Sequence, residues 1–210
     1  AWFQIERTPE EIATVSETNR YVGFPYTKYM NAIMQVDQAA AVVMMTVAKA
    51  RELGIPEGNW VYLHGCADVN DLWYLTERVN FHSSPAIRLM GQNALGRAGW
   101  SIDDVDYFDL YSCFPSAVQI GRDELGIARD DPRPLTVTGG LPYFGGAGNS
   151  YVMMSVATML EKVRAKPGSK GICTANGWYV TKHSIGLYST EAPKEARFER
   201  TDPAILQAEI

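Results

Sequence analysis

Asp109-Leu-Tyr-Ser-Cys-Phe-Pro-Ser116 closes one element and opens another. The apolar run Val105 to Leu110 reads as a strand. Pro115 then suits the first turn of a helix, where a missing N–H costs least, and the helix is expected to run to about Leu125. Tyr111, Ser112 and Cys113 therefore stand at a strand-to-helix junction, which presents polar and nucleophilic side chains. Downstream, Thr138-Gly-Gly-Leu-Pro-Tyr-Phe-Gly-Gly-Ala-Gly-Asn149 carries Gly139, Gly140, Gly145, Gly146 and Gly148. That much glycine lets backbone N–H groups turn inward towards an oxyanion or an anionic ligand before a helix that begins near Asn149.

Outward from these segments the chain alternates strands with helices. Ala39 to Met45 is a short apolar run whose alanines, taken alone, favour a helix, and periodicity does not separate one long helix from a strand followed by a helix over 46–53 that stops at Gly54. Trp60 to His64 reads as the strand that opens a new sheet. Ser84-Pro85 caps a helix whose apolar positions Ile87, Met90, Ala94 and Ala98 recur at helical spacing before Gly99. Leu135 to Thr138 is expected to be a strand, Tyr151 to Lys166 a buried helix ended by Pro167-Gly168, and Lys170 to Thr174 and Ile185 to Ser189 two final strands. Asn176 to His183 would be the loop between them. The pattern is that of an α/β fold with a mixed β-sheet and helices on both faces.

Composition narrows the function classes. A chain of 210 residues, 46% hydrophobic and 20% charged with net charge -5, can bury a core and gives no electrostatic reason to expect nucleic acid. No apolar run is long enough to span a bilayer, so no membrane association is expected. Cys66, Cys113 and Cys173 are an odd, widely spaced set without a CxxC pair, which suits a reducing compartment, and a cytoplasmic location is expected. His64, Cys66, Asp68 and Asp71 lack a second ligand pair, so no metal is expected.

Three segments, Tyr111-Ser-Cys-Phe114, Gly139 to Ala147 and Gly171-Ile-Cys-Thr-Ala-Asn-Gly177, resemble in order and separation the three active-site loops of the C-terminal half of a thiolase. The resemblance spans about residues 25–190 and is closest to acetyl-CoA acetyltransferases. It implies a layered thiolase-like fold, with residues 1–30 ending a loop region and 31–56 the last strand, over 39–45, and helix, over 46–53, of the N-terminal half. Residues 57–190 would be the C-terminal domain, and 191–210 a linker or the start of a further domain. Ala1-Trp-Phe-Gln4 lacks an initiator methionine, so a fragment is expected, with the nucleophilic cysteine in an upstream N-terminal half. The resemblance further implies an acyl-CoA thioester as substrate, no separate cofactor, and a homodimer. In a rival reading, a degenerate fold binds CoA or an accessory subunit without catalysis; in another, a tyrosine base cleaves a CoA thioester by retro-aldol chemistry.

The match has departures. Tyr111 stands where the family has Asn or His, and Gly146 stands where the second loop carries its Gly-His-Pro histidine. Asn176 and Gly177 lie near the third loop's Cys-x-Gly-Gly-Gly. The reading therefore assigns catalytic roles to Tyr111, as an oxyanion donor or proton carrier, to His183, as the substitute imidazole, and to Cys113 and Asn176. Each has a plainer alternative: a core tyrosine, a turn-capping histidine, an inert buried thiol. Phe81, His82, Ser83 and Phe114 are expected along the pantetheine tunnel, with Gly140, Gly145 and Gly146 against the thioester; Phe81 to Ser83 are as readily a staple and cap of the helix that follows.

Overall fold

The computed structural model describes residues 1–194 and 198–210. Its centre is a four-stranded sheet in the order β3-β6-β5-β4, made of β3 (Tyr62–Asn70), β4 (Tyr107–Asp109), β5 (Lys170–Gly177) and β6 (Lys182–Ser189). β3, β6 and β5 pair antiparallel, whereas β4 joins β5 in parallel, so the sheet is mixed. Register then decides which side chains share a face. Phe108, Ile172 and Leu187 are aligned across three strands and are buried against α3 (Pro85–Ala98) and α4 (Pro115–Glu124) with Met90, Leu110 and Ile120. One residue on, Asp109, Cys173 and Gly186 align on the opposite face, where Met159 and Val163 of α6 (Tyr151–Ala165) pack on Cys173. Helices thus cover both faces, as expected for the α/β class.

Local chemistry explains the helices. Ser84 caps α3 by accepting from the Ile87 N–H, Pro85 occupies its first turn, and Gly99 ends it in the left-handed region at φ 65°. At its middle, α3 approaches the sheet so closely that a Cβ on Gly65 would lie 2.5 Å from the Ala94 carbonyl oxygen. Only hydrogen fits there.

Residues preceding the sheet form α1 (Pro9–Ala13), the short hairpin β1 (Tyr21–Gly23) and β2 (Tyr26–Thr27), and α2 (Val47–Glu52). Asn19, fully buried, ties this region together by donating to the carbonyls of Glu11, Ile12 and Thr14 and accepting from the Tyr29 N–H. The strand expected over 39–45 is not formed. Among the described residues it has no neighbouring strand, and Val43 and Met44 are 83% and 82% exposed; an apolar extended segment without a ladder partner leaves its backbone unpaired. Thr46 instead caps α2.

Two further expectations are corrected. Leu135 to Thr138 is not a strand: its ladder-like bond is that of the Leu110 N–H to Leu135, and its threonine hydroxyls bond to Asp109 and to local backbone in place of a ladder. β5 and β6 extend three residues further towards each other than expected, so Asn176 and His183 are cross-strand partners rather than loop residues. The linker expected over 191–210 falls partly on residues 195–197, outside the described residues. Beyond them, α7 (Pro203–Gln207) buries Leu206 in the core, and Gln207 bonds both the N–H and the carbonyl of Asn70, covering part of the edge strand β3.

The close approach of α3 and β3 gives a contrast. Gly65→Ala is expected to lose about 1–3 kcal/mol through overpacking against the helix backbone. Gly96→Ala, at an open helical position, is expected to gain up to about 1 kcal/mol. Urea unfolding midpoints of the two variants check both.

Candidate functional site

Beneath the junction at the end of β4 lies Asp109, 1% exposed, on the α6 face of the sheet. Its Oδ1 accepts from Thr136 Oγ1 at 2.6 Å, Thr138 Oγ1 at 3.3 Å and the Tyr151 hydroxyl at 3.2 Å. Burial pushes its carboxyl above the usual range, and the hydroxyl donors oppose that shift. The same threonines turn to the glycine loop: the Gly139 N–H donates to Thr136 Oγ1 at 3.1 Å and the Gly140 N–H to Thr138 Oγ1 at 3.0 Å. A buried carboxylate therefore anchors the start of that loop through two hydroxyls. The sequence reading gives Asp109 no role; its signal is a charge near the end of an apolar strand, ahead of a Thr-x-Thr pair.

Tyr111 follows directly. Its N–H donates to Thr174 Oγ1 at 2.9 Å and its ring meets Tyr151 edge-on, with centroids 5.6 Å apart. Burial, with the Cys113 sulfur nearby, holds its phenol above the ordinary value, so it is a hydrogen-bond donor at neutral pH. A cavity of about 20 Å³ opens beside it, lined by Tyr111, Thr174, Asn176, Val180 and His183 over an apolar wall. Three of the four residues assigned catalytic roles thus share one hollow. The fourth, Cys113, is connected to it, because Asn176 Nδ2 donates to Cys113 Sγ at 3.6 Å. Burial pushes the Cys113 thiol up, and the Asn176 bond works against that rise.

His183 is 4% exposed on β6. Burial drops its pKa to about 4, against an opposing pull from the Val180 backbone. Nε2 has no hydrogen-bond partner and lies 3.8 Å from Asp71 Oδ2, which is itself bonded by the Ser84 hydroxyl. With Nε2 unpartnered, Nδ1 is the nitrogen turned to the Val180 backbone, and in the neutral tautomer protonated there Nε2 presents a lone pair. Arg78 fixes the surroundings: it donates to the Leu72 and Tyr179 carbonyls and to Thr181 Oγ1, joining the loop after β3 to the β5–β6 turn.

The glycine loop departs from expectation. The N–H groups of Gly139, Gly140 and Gly146 do not face a ligand; they bond Thr136, Thr138 and, at 2.7 Å, the Ile33 carbonyl. Gly140 sits at φ 78°, and a Cβ there would lie 2.7 Å from Ser112 Oγ, which accepts from the Leu141 N–H. Gly145 lies against Gln38 and Val36. Gly146 lies against Leu141, Ile33 and Ala32, outside the set lining the Tyr111 cavity, and its Cβ would come within 3.2 Å of Leu141. A histidine does not fit there unless Leu141 moves. The expected convergence of Tyr111, Gly146 and His183 is therefore a pairing of Tyr111 with His183 alone. Phe114 is partly exposed and stacks on Tyr26, with centroids 6.1 Å apart. Phe81 and His82 are exposed, Ser83 bonds Asn80, and none of the three lines the cavity.

No family model matches the chain. An acetyl-CoA acetyltransferase of Pseudomonas aeruginosa is 30% identical over 156 residues, covering 70% of this chain and 35% of its own. A cytosolic acetyl-CoA acetyltransferase of Rattus norvegicus is 29% identical over 150 residues, again 70% of this chain and 35% of its own. The crystal structure of a monomeric SCP2-thiolase like protein type 1 from Mycobacterium smegmatis superposes with TM-score 0.89 at 47% identity, covering 98% of this chain and 44% of that one. The chain spans about a third of the curated relatives' length and under half of that structure's.

Burial of His183 has a measurable consequence. The folded imidazole stays neutral down to about pH 4, whereas the unfolded one protonates near 6.5, so the unfolded state binds more protons between those values. Stability from this group is complete above about pH 6.5 and is lost as pH falls through about 4, by up to about 3 kcal/mol. His183→Gln is expected to flatten the wild-type slope by that amount, read from urea midpoints between pH 4 and 7.

Proposed function

With a chain that carries the C-terminal half of the thiolase-superfamily fold as premise, we propose that it forms part of an acyl-CoA acyltransferase whose reacting centre is bordered by the Tyr111–Asn176–His183 cavity. The observation that supports this reading is the meeting of those three side chains in one hollow, with Cys113 hydrogen-bonded to its rim. Carbon–carbon bond chemistry beside a thioester needs a thiolate, a group that moves the α-proton, and donors for the developing oxyanion. Tyr111 supplies a neutral O–H donor. His183, neutral at pH 7 with a free Nε2 lone pair, is the proton acceptor. Asn176 orients Cys113, whose thiol is the second acid/base. The attacking cysteine belongs to an N-terminal half that this chain completes, the substrate is an acyl-CoA thioester, and the working unit is a homodimer in the cytosol.

One observation favours a binding-only reading. The glycine that replaces the family histidine is closed in by Leu141, and its N–H is taken up by Ile33, so neither imidazole nor oxyanion donor is offered at Gly146. In that reading the protein holds CoA or a partner subunit and does no chemistry. The raised phenol of Tyr111 argues against a tyrosinate base, and hence against retro-aldol cleavage.

Kinetics on a protein that includes both halves separates these readings. Tyr111→Phe and His183→Gln are each expected to lower acetyl-CoA turnover by about 10²-fold or more, with acetyl-CoA binding by calorimetry retained. Wild-type turnover in both variants contradicts the assignment. Acetyl-CoA binding without turnover in the unmutated protein selects the binding-only reading.

A further inference from the structure

Two buried polar atoms of residues lining the cavity have no hydrogen-bond partner: His183 Nε2, an acceptor in the tautomer protonated at Nδ1, and Asn176 Oδ1. They come from residues paired directly across β5 and β6, so both side chains leave the same face of the sheet at one position. An acceptor buried without a donor is costly, and two beside one hollow call for a ligand with two donors. The hollow, at about 20 Å³, has room for one water molecule and little else. Asp71 does not fill the role. Its Oδ2 is 3.8 Å from Nε2, beyond hydrogen-bond reach, and is bonded by Ser84.

We infer that this cavity is a binding site for a single water molecule, which donates one proton to His183 Nε2 and the other to Asn176 Oδ1 and thereby fixes the Asn176 amide with its Nδ2 aimed at Cys113. The logic is one of satisfiability. Asn176 can point either its oxygen or its nitrogen into the hollow, and without the water the favoured choice is nitrogen, donating towards the His183 lone pair. A two-donor water reverses that preference. The amide N–H groups are then left for the Cys113 sulfur, where Nδ2 stands at 3.6 Å. Besides accepting a proton in the reaction, His183 thus acts on Cys113 at one remove, through water and amide, and towards that thiol it is a positioning residue. The inference deepens the reading of the cavity given above by naming what it holds, but it requires no turnover to be tested.

An amide donor stabilises a thiolate by about a kilocalorie, so removing it slows thiolate reactions about fivefold. Iodoacetamide labelling of the protein is followed by mass spectrometry on the Cys113 peptide, with the half-buried Cys66 as internal reference and the fully buried Cys173 as a reporter of unfolding. His183→Leu and Asn176→Leu are expected to lower the Cys113-to-Cys66 labelling ratio about fivefold. His183→Gln, which retains an acceptor for the water, is expected to stay within about twofold of wild type. An unchanged ratio in both leucine variants with Cys173 still protected overturns the inference. If a leucine variant exposes Cys173, the unmutated protein decides by high-resolution crystallography. A single ordered water within hydrogen-bond distance of both acceptors supports the site, and a dry cavity or an Asn176 amide donating directly to His183 overturns it.

Discussion

The pairing of Asn176 with His183 across β5 and β6 is the constraint from which the site follows. An antiparallel ladder puts directly opposed side chains on one face, so extending this hairpin to Gly177 and Lys182 brings an amide and an imidazole to the same spot. The parallel pairing of β4 with β5 adds the third member. It aligns Asp109 with Cys173, after which the chain leaves the sheet and the Tyr111 N–H catches the Thr174 hydroxyl. Register, more than any single contact, makes the hollow.

Around that hollow the molecule handles two buried carboxylates in different ways. Asp109 is surrounded by hydroxyl donors that pass its hold on to the glycine loop. Asp71 has the Ser84 hydroxyl and the Arg78 charge nearby, and lies beside His183 without bonding it. A buried carboxyl is tolerated where donors surround it, and each of these two also fixes a loop end that borders the site. Rigidity at the junction thus comes from polar networks on one side and from the Phe108, Ile172 and Leu187 core on the other.

Much of this was legible in the sequence, for identifiable reasons. Ser84-Pro85 and Gly99 bracket α3 with the residues that helix ends need, and the apolar run of α6 ends before Pro167 as its sequence requires. The junction at Tyr111 was legible from Pro115. Residues 39–45 and 135–138 were not, because a strand is defined by its neighbour, and an apolar or threonine-rich run does not say whether one is present. With strands read only over 170–174 and 185–189, His183 falls in the loop between them; the backbone instead turns within 178–181, with Trp178 and Val180 in the left-handed region. The role of Asp109, and the internal bonding of the glycine N–H groups, depend on contacts between distant segments that spacing does not carry.

The central claim is that the Tyr111–Asn176–His183 hollow borders the place where a thioester is handled. Nitrogen-15 NMR of histidine-labelled protein, titrated with acetyl-CoA, addresses it most directly, since His64, His82 and His183 are the only imidazoles in the chain. The account predicts that the His183 Nε2 resonance, at a position typical of an unprotonated ring nitrogen at pH 7, shifts in step with acetyl-CoA saturation. A saturating titration that moves other resonances and leaves His183 Nε2 unchanged would contradict it.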